Sequence, residues 1–276
     1  MRFPVRIAGL LLAVGLAGCH DDTLGPTVPV DRTPPAAPRG LYSVTGDHQV
    51  TLHWLANTES DVAGYRIYES PCESGTGCPY DRIGTTSGTG FTVNSLSNGV
   101  TRYFAVAAVD LAGNESELTN ETVFDTPRPE GFGATIGNFV VSSAGAGWDF
   151  STAMSRSSAD AETDIYYGYN GSVAQVFTKD VMTDIQDMGF ASTLDAVDFA
   201  PSAGWSPTGT VEAIPGHCYV VWTRDNHYAK FRVTSLTTTA VVFDWAYQTA
   251  AGNGELRAGR AHDDGAPAPR PVAWLR

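Results

Sequence analysis

His217-Cys-Tyr-Val-Val-Trp-Thr223 and His227-Tyr-Ala-Lys-Phe-Arg-Val233 are two alternating runs on either side of Arg224-Asp-Asn226. Strand-forming residues at period two, interrupted by a turn-prone tripeptide, predict an antiparallel hairpin. Ala240-Val-Val-Phe-Asp-Trp-Ala-Tyr247 continues the meander as a third strand. On it Val241, Phe243, Trp245 and Tyr247 share one face while Asp244 points to the other. Further back, Asn138–Ser142, Gly147–Ser151, Asp164–Tyr169 and Ala174–Thr178 are candidate strands of the same domain. Asp180–Val197 spaces Met, Ile and Leu by three and four residues, which predicts one or two short helices there.

The N-terminal half shows the same short period. Val50-Thr-Leu-His-Trp54, Tyr65-Arg-Ile-Tyr68 and Tyr103-Phe-Ala-Val-Ala-Ala-Val109 alternate between turn-rich stretches, the pattern of a sandwich of antiparallel strands. Asp125-Thr-Pro-Arg-Pro-Glu-Gly131 separates the two halves and reads as an interdomain linker, because two prolines and a glycine break a strand. The expected fold class is all-β: a sandwich over 39–126, then a second, mainly antiparallel β domain over 132–259. A tail at 260–276 is expected to be disordered.

Composition narrows the function. The chain has 276 residues and a formal charge of −13, with the acid excess in both halves. Such a surface repels phosphate backbones and anionic headgroups, which argues against nucleic acid as a partner. No His-Glu-x-x-His, Gly-x-Ser-x-Gly or phosphate loop occurs, so no enzymatic activity is expected. Four cysteines are present. Cys72 and Cys78 flank Glu-Ser-Gly-Thr-Gly, a flexible run that lets the chain double back, and no histidine or third cysteine is near enough in sequence to suggest a metal site. In an oxidising compartment they are expected to form a local disulfide. Cys218 lies in an apolar alternating run and reads as a buried free thiol.

The start of the chain supplies an address. Arg2, Arg6 and the apolar run Ile7–Ala17 form a secretory signal over 1–18, too short to span a bilayer as a helix. Its end, Leu16-Ala-Gly-Cys19, resembles the lipobox of bacterial lipoproteins. The resemblance implies that Cys19 becomes a lipidated N-terminus holding the chain on a membrane of the cell envelope. Residues 19–38 then read as an extended tether.

Thr33-Pro-Pro-Ala-Ala-Pro-Arg-Gly-Leu41, Val50–Trp54, Asp61-Val-Ala-Gly-Tyr-Arg-Ile-Tyr68, Leu96 with Tyr103, and Val109-Asp-Leu-Ala-Gly-Asn-Glu-Ser116 together resemble a bacterial fibronectin type III domain. That implies core roles for Trp54 and Tyr65, and a corner role for Tyr103, whose hydroxyl would bond a nearby backbone. In the second half, Trp148-Asp-Phe150, Asp164-Ile-Tyr-Tyr167, Leu194-Asp-Ala-Val197, Gly204-Trp205 and the 219–233 hairpin resemble the HmuY family of lipid-anchored β proteins. That resemblance implies haem as a ligand.

Haem capture needs axial donors on opposite sides of one iron. His217 and His227 sit near opposite ends of the predicted hairpin, about 20 Å apart at roughly 3.3 Å per residue, and so cannot serve together. His227 with Met182 or Met188 remains as the donor set. A different reading is a carbohydrate- or protein-binding adhesion module, for which Trp205, in Gly204-Trp-Ser-Pro207, is the candidate exposed aromatic. Asp160, Glu162 and Asp164 alternate but lack the spacing of a helical calcium loop, and read as solvated surface. The sequence thus points to a lipid-anchored binding protein of the cell envelope, with the first domain as spacer and haem or polysaccharide as ligand.

Overall fold

The computed structural model describes residues 30–73, 75 and 77–257. The signal segment, Cys19 and the expected tail lie outside them. Seven strands build the first sandwich: β1 (Arg39–Gly46), β2 (Gln49–Leu55), β3 (Val62–Ser70), β4 (Asp81–Thr86), β5 (Gly90–Asn94), β6 (Arg102–Asp110) and β7 (Val123–Asp125). They form two sheets of order β1-β2-β5 and β4-β3-β6-β7, every pair antiparallel. The alternation seen in the sequence is the alternation of faces. Leu52 and Trp54 on β2, Tyr65 and Ile67 on β3, and Phe104 and Val106 on β6 meet in one core. Each such burial contributes about 1.5–3 kcal/mol.

Trp54 packs edge-on against Tyr65, ring centroids 5.3 Å apart. The tyrosine whose hydroxyl ties down backbone is Tyr65, which accepts the Asn57 N–H at 2.9 Å. Tyr103 was expected to make such a bond. Its ring instead lies against Phe124, and among the described residues its hydroxyl has no hydrogen-bond partner. Cys72 and Cys78 are joined, their Cα atoms 5.2 Å apart, in the connection between β3 and β4.

The stretch read as a linker is built differently. Asp125 closes β7, the Thr126, Pro127 and Arg128 side chains are buried, and Glu130 and Gly131 already belong to the next strand. Both sandwiches fall within one compact unit.

Ten strands build the second sandwich: β8 (Glu130–Gly137), β9 (Gly147–Asp149), β10 (Met154–Arg156), β11 (Ile165–Tyr169), β12 (Ala174–Thr178), β13 (Asp184–Phe190), β14 (Thr210–Glu212), β15 (His217–Trp222), β16 (Tyr228–Leu236) and β17 (Ala240–Gln248). Their sheets have the orders β10-β9-β11-β12-β14 and β13-β15-β16-β17-β8. Val241, Phe243, Trp245 and Tyr247 meet Trp148, Ile165, Tyr167 and Val176 in the core between them. A satellite core on the far side of the second sheet holds Cys218, Val220, Trp222 and Tyr228 under Leu194, Val197 and Leu256.

Two expectations are corrected here. Asp180–Val197 holds one short helix, a 3-10 turn at Leu194–Ala196, but its longest element is a strand that was not expected, β13. Asn138–Ser142 is a turn, not a strand. Asn138 is buried, and its side chain donates to Thr238 O at 2.9 Å and accepts the Val140 N–H at 2.9 Å. Those side-chain bonds compete with a ladder and bend the chain.

Candidate functional site

The sheet β10-β9-β11-β12-β14 has one face in the core, so the alternate residues of β11 and β12 face outward. Tyr166 and Phe177 stand directly opposite each other across that pair, and their rings stack at 5.1 Å with a 12° interplanar angle. Phe139, carried in by the Asn138 turn, stands edge-on to both at 5.1 and 5.6 Å. Its own N–H donates to Tyr167 O at 2.9 Å, which pins the turn against β11. All three rings are half-buried, and Val140 and Val141 beside them are exposed. Gly168 lies beneath the cluster, where a Cβ would come within 2.4 Å of the Phe139 ring.

Polar groups border the rings. Thr210 pairs with Phe177, and Gln175 pairs with the exposed Glu212 on the edge strand β14. Burial among the aromatics raises the Tyr166 phenol, so it stays a neutral donor. The face combines half-buried aromatic surface with a hydroxyl, an amide and a carboxylate at its rim. Flat apolar area fixes a ligand with an apolar face, and the few polar groups orient it. Only the strand register and the Asn138 turn bring these three rings together, so nothing local in the sequence marks them as a cluster.

The residues expected to bind ligand are scattered. Trp205 is half-buried, with its ring 6.0 Å from that of Trp222, and it packs onto the satellite core. Its ring is thus partly covered rather than fully exposed. His227 sits in the hairpin turn, its Nδ1 3.1 Å from Asp225 Oδ2 and its ring against Tyr247. Met182 lies just before β13, where its N–H donates to Asp180 Oδ1, and Met188 is exposed near the far end of that strand.

The strand register sets the backbone separations of these positions. From β13 across β15 to β16 is two strand spacings, about 10 Å, and Met188 lies roughly a further 13 Å along its strand. His217, at the other end of the hairpin, pairs with Asp187 at 2.9 Å. The neighbours of the His227 ring are Asp225 and Tyr247, and the Met182 N–H is bonded to Asp180.

The acidic residues also divide. Asp160 pairs with Arg156 at 3.5 Å near the surface, whereas Asp164 is buried and accepts the Phe150 N–H at 2.9 Å. Burial pushes the Asp164 carboxyl up to about 7, with Asp149 and Asp225 adding to the effect. Asp225 goes the other way, down to about 2, chiefly because His227 bonds its carboxylate. Asp164 is thus not the solvated surface group expected of it. Cys218 is a buried free thiol, pushed up to about 11 by burial.

No protein-family model matches the chain. It is 28% identical over 273 residues to Exoglucanase B of Cellulomonas fimi, a match covering 93% of this chain and 23% of that protein. It is 36% identical over 112 residues to Amylopullulanase of Thermoanaerobacterium saccharolyticum, covering 40% of this chain and 8% of that one. The chain thus spans about a quarter or less of the length of either relative. Among solved structures, an Fn3-like protein from Clostridium thermocellum is 25% identical, with a TM-score of 0.29, covering 36% of this chain and all of that one. The β1–β7 sandwich occupies the segment whose sequence resembles a fibronectin type III domain.

Proposed function

We propose that this protein is a non-catalytic adhesion module for neutral polysaccharide, held at the cell envelope through lipidated Cys19. The fibronectin type III-like sandwich acts as the spacer, and the Tyr166–Phe177–Phe139 face of the second sandwich is the contact surface. The observation that carries this reading is the aromatic stack on a solvent-facing sheet with Thr210, Gln175 and Glu212 at its rim. Sugar rings present flat C–H faces edged by hydroxyls, and this arrangement complements both. Two matched relatives are named for action on glucans, which supports the ligand class. The net charge of −13 favours an uncharged polymer over a polyanion.

The test is affinity electrophoresis through gels containing soluble β-glucan, starch or glycol chitin, with pull-down on the insoluble forms. Retardation by at least one neutral polymer is expected. Phe177→Ala weakens it about tenfold, equivalent to roughly 1.4 kcal/mol. Retardation by none of the polymers, or a Phe177→Ala variant that binds like the parent, overturns the reading.

A further inference from the structure

Residues 125–130, expected from sequence to be a linker, carry buried charge. The Arg128 side chain is fully buried. Its Nε donates to Leu256 O at 2.6 Å and its Nη1 to Glu130 Oε2 at 3.0 Å, while Nη2 lies 3.5 Å from Asp195 Oδ1. Lys230, also fully buried, donates to Val197 O at 2.8 Å and lies 3.5 Å from the same Asp195 oxygen. Towards the first sandwich, Thr45 Oγ1 donates to Asp125 Oδ1 at 2.8 Å, the Arg128 N–H to Gly46 O at 3.2 Å, and the Gly99 N–H to Pro127 O at 2.8 Å. Towards the second, Thr126 Oγ1 donates to Glu255 Oε2 at 3.1 Å. One short segment is therefore bonded to both sandwiches at once.

We propose that residues 125–130 form a charge-balanced clamp: Arg128 and the Thr126–Glu255 bond hold the two sandwiches in a single orientation, and alkali loosens it. A buried ion pair adds little net stability against an apolar core, but an arrangement that strands one of its charges is strongly disfavoured. The Arg128 side chain fixes the segment to the second sandwich through Leu256 O, Glu130 and Asp195, while its N–H, Pro127 O and Asp125 fix the same segment to the first, so the sandwiches cannot turn relative to one another without giving up one of the two sets. The clamp thus selects an orientation, which for an adhesion module fixes where the aromatic face points relative to the spacer.

The charged and titratable groups around it are Asp125 and Glu130 on the segment, Asp195 on the 3-10 turn, Cys218 and Lys230 on the sheet, and Glu255 and Arg257 after β17. Arg257 Nη1 donates to Asp195 O at 2.9 Å. Burial holds Asp125 up at about 6 and Glu255 at about 8, and lowers Lys230 to about 7 with the Arg128 charge adding to the effect. At pH 6.5 Glu255 keeps its proton and Lys230 is still largely charged, so the two cations are matched by Asp125, Asp195 and Glu130. Above about pH 8, Glu255 is an anion beside Asp125 and Lys230 has become neutral, so negative charge accumulates around one guanidinium.

Scanning calorimetry and solution X-ray scattering of the whole protein at pH 6.5 and 9.5 test this. At pH 6.5 one cooperative transition and one fixed maximum dimension are expected. At pH 9.5 a second transition separates and the maximum dimension increases. Glu255→Gln, which keeps the neutral form at every pH, retains the single transition at pH 9.5, whereas Arg128→Met shows two transitions at both pH values. Two transitions in the parent at pH 6.5 overturn the clamp. An unchanged parent at pH 9.5, or a Glu255→Gln variant that splits as the parent does, overturns its pH control. Should Arg128→Met fail to fold, the parent and Glu255→Gln profiles still decide.

Discussion

Gly168 lies against the edge of Phe139, and a methyl group added to the glycine would sit 2.4 Å from a carbon of that ring. The glycine is needed for space, since its φ is not positive.

Gly168→Ala separates two effects. Alanine lowers the entropy of the unfolded chain, which by itself stabilises by about 0.4–1 kcal/mol. The clash with a ring held on two sides costs about 1–3 kcal/mol, typical of overpacking, so the net is destabilising. Phe139 must rotate away, which dismantles the aromatic face. The expected outcome is a lower denaturant midpoint together with loss of polysaccharide retention. A variant at least as stable as the parent would show that Phe139 is free to move.

Trp54 gives a contrasting case. It is buried against Tyr65 and its indole N–H has no acceptor among the described residues. Trp54→Ala leaves a large cavity and costs about 3–5 kcal/mol. Trp54→Phe also loses contact area, but it removes a buried donor whose desolvation carries a penalty of about 1–3 kcal/mol. Urea unfolding is expected to show Trp54→Phe destabilised by under about 1.5 kcal/mol, less than half the effect of Trp54→Ala. Equal costs would mean that the indole N–H has a partner in solution.

The Cys72–Cys78 bond closes a short loop at the end of the β3–β4 hairpin. In the chain-entropy account such a closure contributes about 2 kcal/mol, acting on the unfolded chain. Reduction is therefore expected to lower the melting temperature by roughly 4–8 °C while the far-ultraviolet circular dichroism of the folded state stays unchanged. A changed spectrum on reduction would mean that the bond shapes the native sandwich as well.

Legibility in the sequence followed periodicity. The β15–β16 hairpin and β17 were readable because Val220, Phe231 and Phe243 sit at period two around a polar turn. β8 was missed because Glu130-Gly131-Phe132-Gly133 contains no β-branched residue. The reason is packing: a Cβ on Gly131 would come within 2.6 Å of Trp245 Nε1, so the strand gives up its pattern to admit a tryptophan. β13 was misread as helix because it is an edge strand, with buried Ile185 its one inward anchor among polar and exposed neighbours. The aromatic face was unreadable for a third reason. Phe139 belongs to a turn, and neither its position nor the Tyr166–Phe177 register is encoded locally.

The buried carboxyls set the pH dependence of stability. Asp125, Asp164 and Glu255 are raised to about 6, 7 and 8. A raised carboxyl keeps its proton in the folded state after the unfolded chain has lost its own, so its contribution is complete below the unfolded value and disappears as pH rises through the folded one. These three contributions therefore fade between about pH 4 and pH 8. Lys230, lowered to about 7, works in the opposite direction, but only between about pH 7 and 10.5. Asp149 and Asp225 are lowered, the second to about 2, so what they contribute is lost only on the acid side of the normal carboxylate range. The melting temperature is accordingly expected to peak near pH 4–5 and to fall steadily to pH 7. Asp164→Asn, which preserves the acceptor for the Phe150 N–H, should flatten that fall and leave the variant more stable than the parent at pH 7.5. A parent protein that gains stability between pH 5 and 7 would show that these carboxyls are ionised in the fold, with a charge partner close enough to outweigh their burial.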